Sequence, residues 1–241
     1  MSLILGRTDI NESDISLRIR IAYKLGRFVF SWFLFFSFWI GLRWINKDSV
    51  LKASPRRTVR HFYFGYWFCR YILGYKKVFI TRIPIPVQYQ IICADLFDEY
   101  LYNGTSEKKD DSVSVSFVNG ETSEYTSCLN LVLADTYGID WKKQLPSSVA
   151  GLTTVIIDRS SDDHTRYYSS EFISEVVSTL RNLPNKVHVV NLFATTNPAN
   201  NLHIAQEAFM TGGRDSIEHL FVFQQSANEG REYSGKRLRV F

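Results

Sequence analysis

VHVVNLFATTNPANNLHIAQEAF, residues 187–209, holds the change of period on which the fold turns. Its first part, 187–193, is an apolar, valine-rich run of strand length, and 199–210 continues with helical spacing. Between them, ATTNPAN (194–200) places hydroxyl and amide side chains and one proline. Asn197 before Pro198 suits a helix cap. A strand apolar on both faces that leads into a helix is the repeating unit of a parallel sheet covered by helices.

The same texture extends in both directions. TTVIID (153–158) is a continuous β-branched run, and HLFVF (219–223) reads as a further buried strand. Residues 169–183 form an amphipathic helix with Phe172, Ile173, Val176, Val177 and Leu180 inward. Upstream, KVFIT (77–81) reads as a strand and 87–102 as a helix starting near Pro84 and Pro86. SVSVSFV (112–118) alternates with period two, which predicts a strand with one wet face near a sheet edge. Residues 103–111 and 120–127 are polar connections, 237–241 a last short strand, and no element is assigned between 128 and 152. Strand and helix alternate with few hairpin signals, so the expected fold is α/β: a Rossmann-like, mostly parallel sheet with right-handed crossovers.

Such sheets bind ligands beyond the carboxyl ends of their strands. Those ends are Thr81–Arg82, Asp158–Arg159, the loop after 193, and Gln224 with Gln225 and Ser226. Arg82 and Arg159 are candidates to supply positive charge, or are ordinary surface residues. Thr195, Thr196, Asn197 and Asn200 are candidates to read ribose hydroxyls or base edges, with Gln224 at the next strand end. The N–H groups of that loop and the helix it opens could receive phosphate. Asn197 is equally explained as a cap.

The first third differs. Residues 1–77 carry fourteen Lys/Arg against four Asp/Glu, and half of the 36 aromatic residues of the chain. The run FVFSWFLFFSFWIGL (28–42) is uncharged between Arg27 and Arg43. Fifteen residues rise about 22 Å as a helix, short of a hydrocarbon core of about 30 Å unless its flanks extend it. Phe28, Trp32, Phe35, Phe36 and Trp39 make it apolar all round, which argues for lipid rather than a small protein core as its solvent. Residues 13–27 read as a separate basic amphipathic helix on an anionic leaflet or on the soluble domain. A second aromatic stretch, HFYFGYWFC (61–69), ends at Arg70, so one or two crossings both fit. The division is a membrane-anchoring part, 1–75, and an α/β ligand-sensing part, 76–241. Basic charge surrounded by so much bulky apolar surface argues for a lipid bilayer and against DNA as partner.

Catalytic signatures are missing. There is no GxGxxG, GxxxxGK[ST] or GxSxG. Cys69, Cys93 and Cys128 lack metal or redox spacing and read as small apolar residues. Asp158, Asp162, Asp163 and His164 could bind a metal or act as acid and base, but read better as a solvated loop. The expectation is a binding protein and not an enzyme, with no metal and no cofactor.

The run 187–209, then DSIEHLFVFQQS (215–226) and EYSGKRLRVF (232–241), resembles the end of SAVED domains, CARF-like Rossmann-type sensors of bacterial antiviral signalling. The better-matched part is 153–241, and either one CARF-like unit or a trimmed pair fits the length. The resemblance implies a cyclic or linear oligonucleotide second messenger as ligand. It also implies a homo-oligomeric effector in antiphage defence that perturbs the membrane, held in the bacterial inner membrane with its sensing domain cytoplasmic. The alternatives are a structural subunit of a membrane complex and a membrane-tethered nucleotide-processing enzyme.

Overall fold

A computed structural model describes residues 12–53, 62–104, 112–119, 127–159, 166–210, 216–226 and 230–241. The chain opens with α1 (Glu12–Asn46), 35 residues without a break. The expected surface helix and the apolar run are therefore one element. No proline falls between 12 and 46, and the two glycines, Gly26 and Gly41, cost a helix only about 1 kcal/mol each. The stretch Ser16–Asn46 is apolar enough to cross a membrane, and its most apolar window is unburied. Its 31 residues rise about 46 Å, which removes the length objection raised by 28–42 alone.

A small sheet follows. β1 (Val50–Lys52), β2 (Lys77–Phe79) and β3 (Glu99–Leu101) are parallel in that order, with α2 (Tyr63–Tyr71) between the first two and α3 (Ile85–Cys93) between the last two. β2 passes into a 3-10 turn, Ile80–Arg82. The helix expected over 87–102 ends at Cys93, and β3 takes its last part. Asp95 stands at φ 45°, where Asp is tolerated better than most residues. Leu96 N–H donates to Ile91 O and Asp95 N–H to Ile92 O, the paired bonds that close a helix C-terminus.

The large sheet has six strands in the order β4-β6-β5-β7-β8-β9: β4 (Ser114–Val118), β5 (Cys128–Ala134), β6 (Thr154–Asp158), β7 (Val189–Ala194), β8 (His219–Gln225) and β9 (Tyr233–Arg239). The four inner strands are parallel, and β4 and β9 are antiparallel edges. The expected edge at 112–118 is β4. The strand left unassigned, β5, is one of the two central strands and is buried along nearly its whole length. α5 (Ser170–Arg181) and α6 (Pro198–Ile204), the latter continued by a π-helical turn Ala205–Met210, cover one face with α3. The other face is covered near β5 by α4 (Trp141–Gln144) and its flanking loops.

The two parts are stitched together. Trp39 Nε1 donates to Ile72 O (2.8 Å), Asn46 Nδ2 to Leu73 O (2.9 Å) and Arg43 to Tyr71 O. These side chains, spaced along one side of α1, satisfy carbonyls that the end of α2 leaves without helical partners. Trp39 is thereby half-buried, while Phe28, Trp32, Phe35 and Phe36 remain exposed.

Candidate ligand-binding cleft

The connection from β5 to β6 runs over the α4 face, and the one from β7 to β8 over the α6 face. Loops leaving β5 and β7 in opposite directions open a crevice at the carboxyl ends of the strands. A cleft of about 320 Å³ lies there. Thr136 and Tyr137 after β5, Ala194–Asn197 after β7 and the end of β8 form one wall, and Thr81 with Ile83–Pro86 after β2 form the other. Strand ends of both sheets thus converge on one space.

Its floor is a buried polar network. Asp135, 1% exposed, accepts at Oδ1 from Arg159 Nε (3.0 Å) and Nη2, and at Oδ2 from Asn197 N–H (3.0 Å), Asn197 Nδ2 (3.0 Å) and Asn200 Nδ2 (2.9 Å). Asn197 and Asn200 also donate to Tyr167 O, and Asn197 Oδ1 caps α6 by accepting from Asn200 N–H (3.0 Å). Five donor groups from three residues meet at one carboxylate. The site where a phosphate was expected, at the start of α6, is filled by the protein's own Asp135.

The residues expected to bind a ligand take different places in the structure. Arg159 and Asn200 are buried in the network and do not line the cleft. Thr195, Thr196 and Asn197 line it, but their side chains are engaged: Thr195 Oγ1 donates to Tyr137 O (2.8 Å), and Thr196 Oγ1 meets Asn201 Oδ1. Gln224 lines the cleft and is exposed. Arg82 is exposed between the lining residues Thr81 and Ile83 without lining the space. Asp162, Asp163 and His164 lie outside the described residues.

Other residues face the cleft with free chemistry. Arg166 is an exposed cation on its rim. Gln225 Oε1 accepts from Tyr137 O–H (2.9 Å), which leaves Nε2 buried with no partner among the described residues. Arg231 stacks over the Tyr137 ring at 4.2 Å. On the wall behind, Phe223 stacks on Phe193 (4.4 Å), which Tyr233 meets edge-on. Burial, and secondarily Tyr137, push the Tyr233 hydroxyl well up from its ordinary value. Among the described residues no cluster of His, Cys, Asp or Glu could hold a metal. Tyr137 and Asp135 were hidden because β5 was not assigned; CLNLVLA before Asp135 was the available signal. Arg166 sits in a loop with no sequence signal.

The family model of the SMODS- and Ubiquitin system-associated 2TM effector domain, SUa-2TM, matches residues 2–241. The chain belongs to the SUa-2TM family. Its α/β part has the fold of two solved SAVED/CARF-domain receptors, both described as Acinetobacter baumannii Cap4. One, with the cyclic trinucleotide 3'3'3'-cAAA, is 11% identical at a TM-score of 0.51, over 74% of this chain and 42% of that one. The other, with 2'3'3'-cAAA, is 10% identical at 0.50, over 77% and 49%. The SUa-2TM chain thus spans less than half of either receptor's length. No curated protein matches it. The 2TM description and the apolar α1 together mark a membrane protein; α2, with nine residues, falls in the second aromatic stretch.

Proposed function

We propose that this SUa-2TM protein is a membrane-anchored effector that binds a cyclic oligonucleotide in the cleft and, when its copies cluster, perturbs the membrane in antiviral defence. The observation that carries the reading is the convergence of strand ends from both sheets on one cleft with an exposed cation, Arg166, on its rim and an amide donor, Gln225 Nε2, that has no partner among the described residues. A nucleotide answers both: phosphate oxygen pairs with guanidinium, and a base or ribose acceptor meets the amide. The half-buried Tyr137 ring, with Arg231 stacked over it, offers an aromatic surface for a base. At about 320 Å³ the cleft holds part of a cyclic oligonucleotide, with the remainder in the open mouth. The small sheet supplies the second half of a trimmed pair.

No step of this reading requires catalysis, a metal or a cofactor. The sensing domain faces the cytoplasm of a bacterial cell, with α1 in the inner membrane. Calorimetry of the full chain in detergent against cyclic di-, tri- and tetranucleotides tests the binding. Saturable heat with one of them is expected; silence across the set overturns the reading. Dye leakage from liposomes, triggered by that nucleotide, tests the membrane step.

A further inference from the structure

The large sheet ends in two unlike edges. β9 carries Lys236, Arg237 and Arg239, and such charges discourage another strand from adding. β4 carries no charge, proline or glycine. It pairs with β6 on one side, and on the other it meets no strand among the described residues. Phe117 stands on it 45% exposed. A regular, neutral edge with an exposed aromatic is an open template for one more strand.

The residue pattern selects which strand. Consider β4 antiparallel to β4 of a second copy, about a two-fold axis through Val115. Val113 then lies opposite the partner's Phe117, Val115 opposite the partner's Val115, and Ser114 opposite the partner's Ser116. From 113 to 117 apolar meets apolar and hydroxyl meets hydroxyl; only Val118, opposite the partner's Ser112, breaks the match. An axis one residue on, at Ser116, keeps Val115 opposite the partner's Phe117 and Ser116 opposite its own copy, but sets Ser114 opposite the partner's Val118 and Val113 opposite the partner's Asn119, a poorer match. Val115 and Phe117 sit in register with Ile157 and Val155, the buried face of β6. The added strand therefore extends the apolar side of the sheet. Neutrality lets two identical edges meet without repulsion.

We infer that the chain associates with a second copy of itself through β4, making one continuous sheet across two subunits. The contact needs no ligand, so it stands or falls separately from nucleotide binding.

Oxidative cross-linking of the full chain in detergent, with Cys69, Cys93 and Cys128 changed to alanine, reads the register. Val115→Cys is expected to give a disulfide-linked dimer, because residues on the axis lie about 4.5–5.5 Å apart. Ser116→Cys is expected to give none, since its copies are separated by more than the roughly 7 Å a disulfide can bridge. In a second variant, Ser114→Lys with Ser116→Lys, each new charge faces its like. Both positions are exposed, so the fold is kept and the particle mass by light scattering halves. A monomeric unmodified chain, an unchanged mass in the lysine variant, or equal cross-linking at 115 and 116 overturns the proposal.

Discussion

Two arginines near the cleft separate fold from ligand at the residue scale. Arg159 pairs with Asp135 where both side chains are almost fully buried, and removing one member leaves the other charge without compensation. Arg159→Leu should therefore lower stability by about 3–5 kcal/mol, read from the denaturant midpoint. Arg166 is exposed on the rim. Arg166→Ala should leave that midpoint unchanged and weaken nucleotide binding by about tenfold or more, the loss of one charge-assisted bond. Both arginines follow β6 in the sequence, and only burial tells their roles apart. Cys93 illustrates titration at this scale. Burial pushes its thiol up from 9.0 to about 12, so folding favours the neutral form. Its contribution is complete below about pH 9 and is lost as pH rises toward 12. Cys93→Ala should flatten the fall in stability across pH 9–11, measured by denaturant titration at each pH.

At the element scale the joint between α1 and the end of α2 is the most constrained feature. Gly74 has φ +85°, and a Cβ there would stand 2.8 Å from Arg43 Cα. Gly74→Ala should cost about 1–3 kcal/mol in backbone strain, with the clash in addition. Limited proteolysis near residue 74 reports the loosened joint. Trp39→Phe keeps the ring but removes the bond to Ile72 O, and should cost about 1 kcal/mol. Periodicity predicted α5, β6 and β7 closely, because long apolar runs buried by helices leave a strong pattern. It missed β5, whose neighbours on both sides are polar loops, and it overran α3, because Asp95 closes that helix where a glycine was the expected signal. The joint itself has no periodic trace. It depends on one helix meeting carbonyls some thirty residues away.

For the whole molecule, the proposed function makes a bilayer the solvent for the exposed side of α1. Phe28, Phe33, Phe35 and Phe38 are each more than half exposed, an apolar surface with no protein cover among the described residues. Phe36→Lys should reduce insertion by about 3 kcal/mol, seen as loss of flotation with liposomes while the α/β part keeps its near-ultraviolet spectrum. The 35-residue α1 also shows why the short apolar run understated the span: the helix continues through charged flanks that composition alone separates from it.

From the sequence alone came the alternation of strand and helix, the carboxyl ends on which a ligand site would sit, and the long apolar run near position 35. These are written in local periodicity and composition. The tertiary structure decided which groups at those ends are free. Asp135 arrives from a distant strand and takes the donors of Asn197, Asn200 and Arg159, while Arg166 and Gln225 are left facing the cleft. The availability of a polar group depends on partners brought together by packing, and no spacing along the chain encodes that.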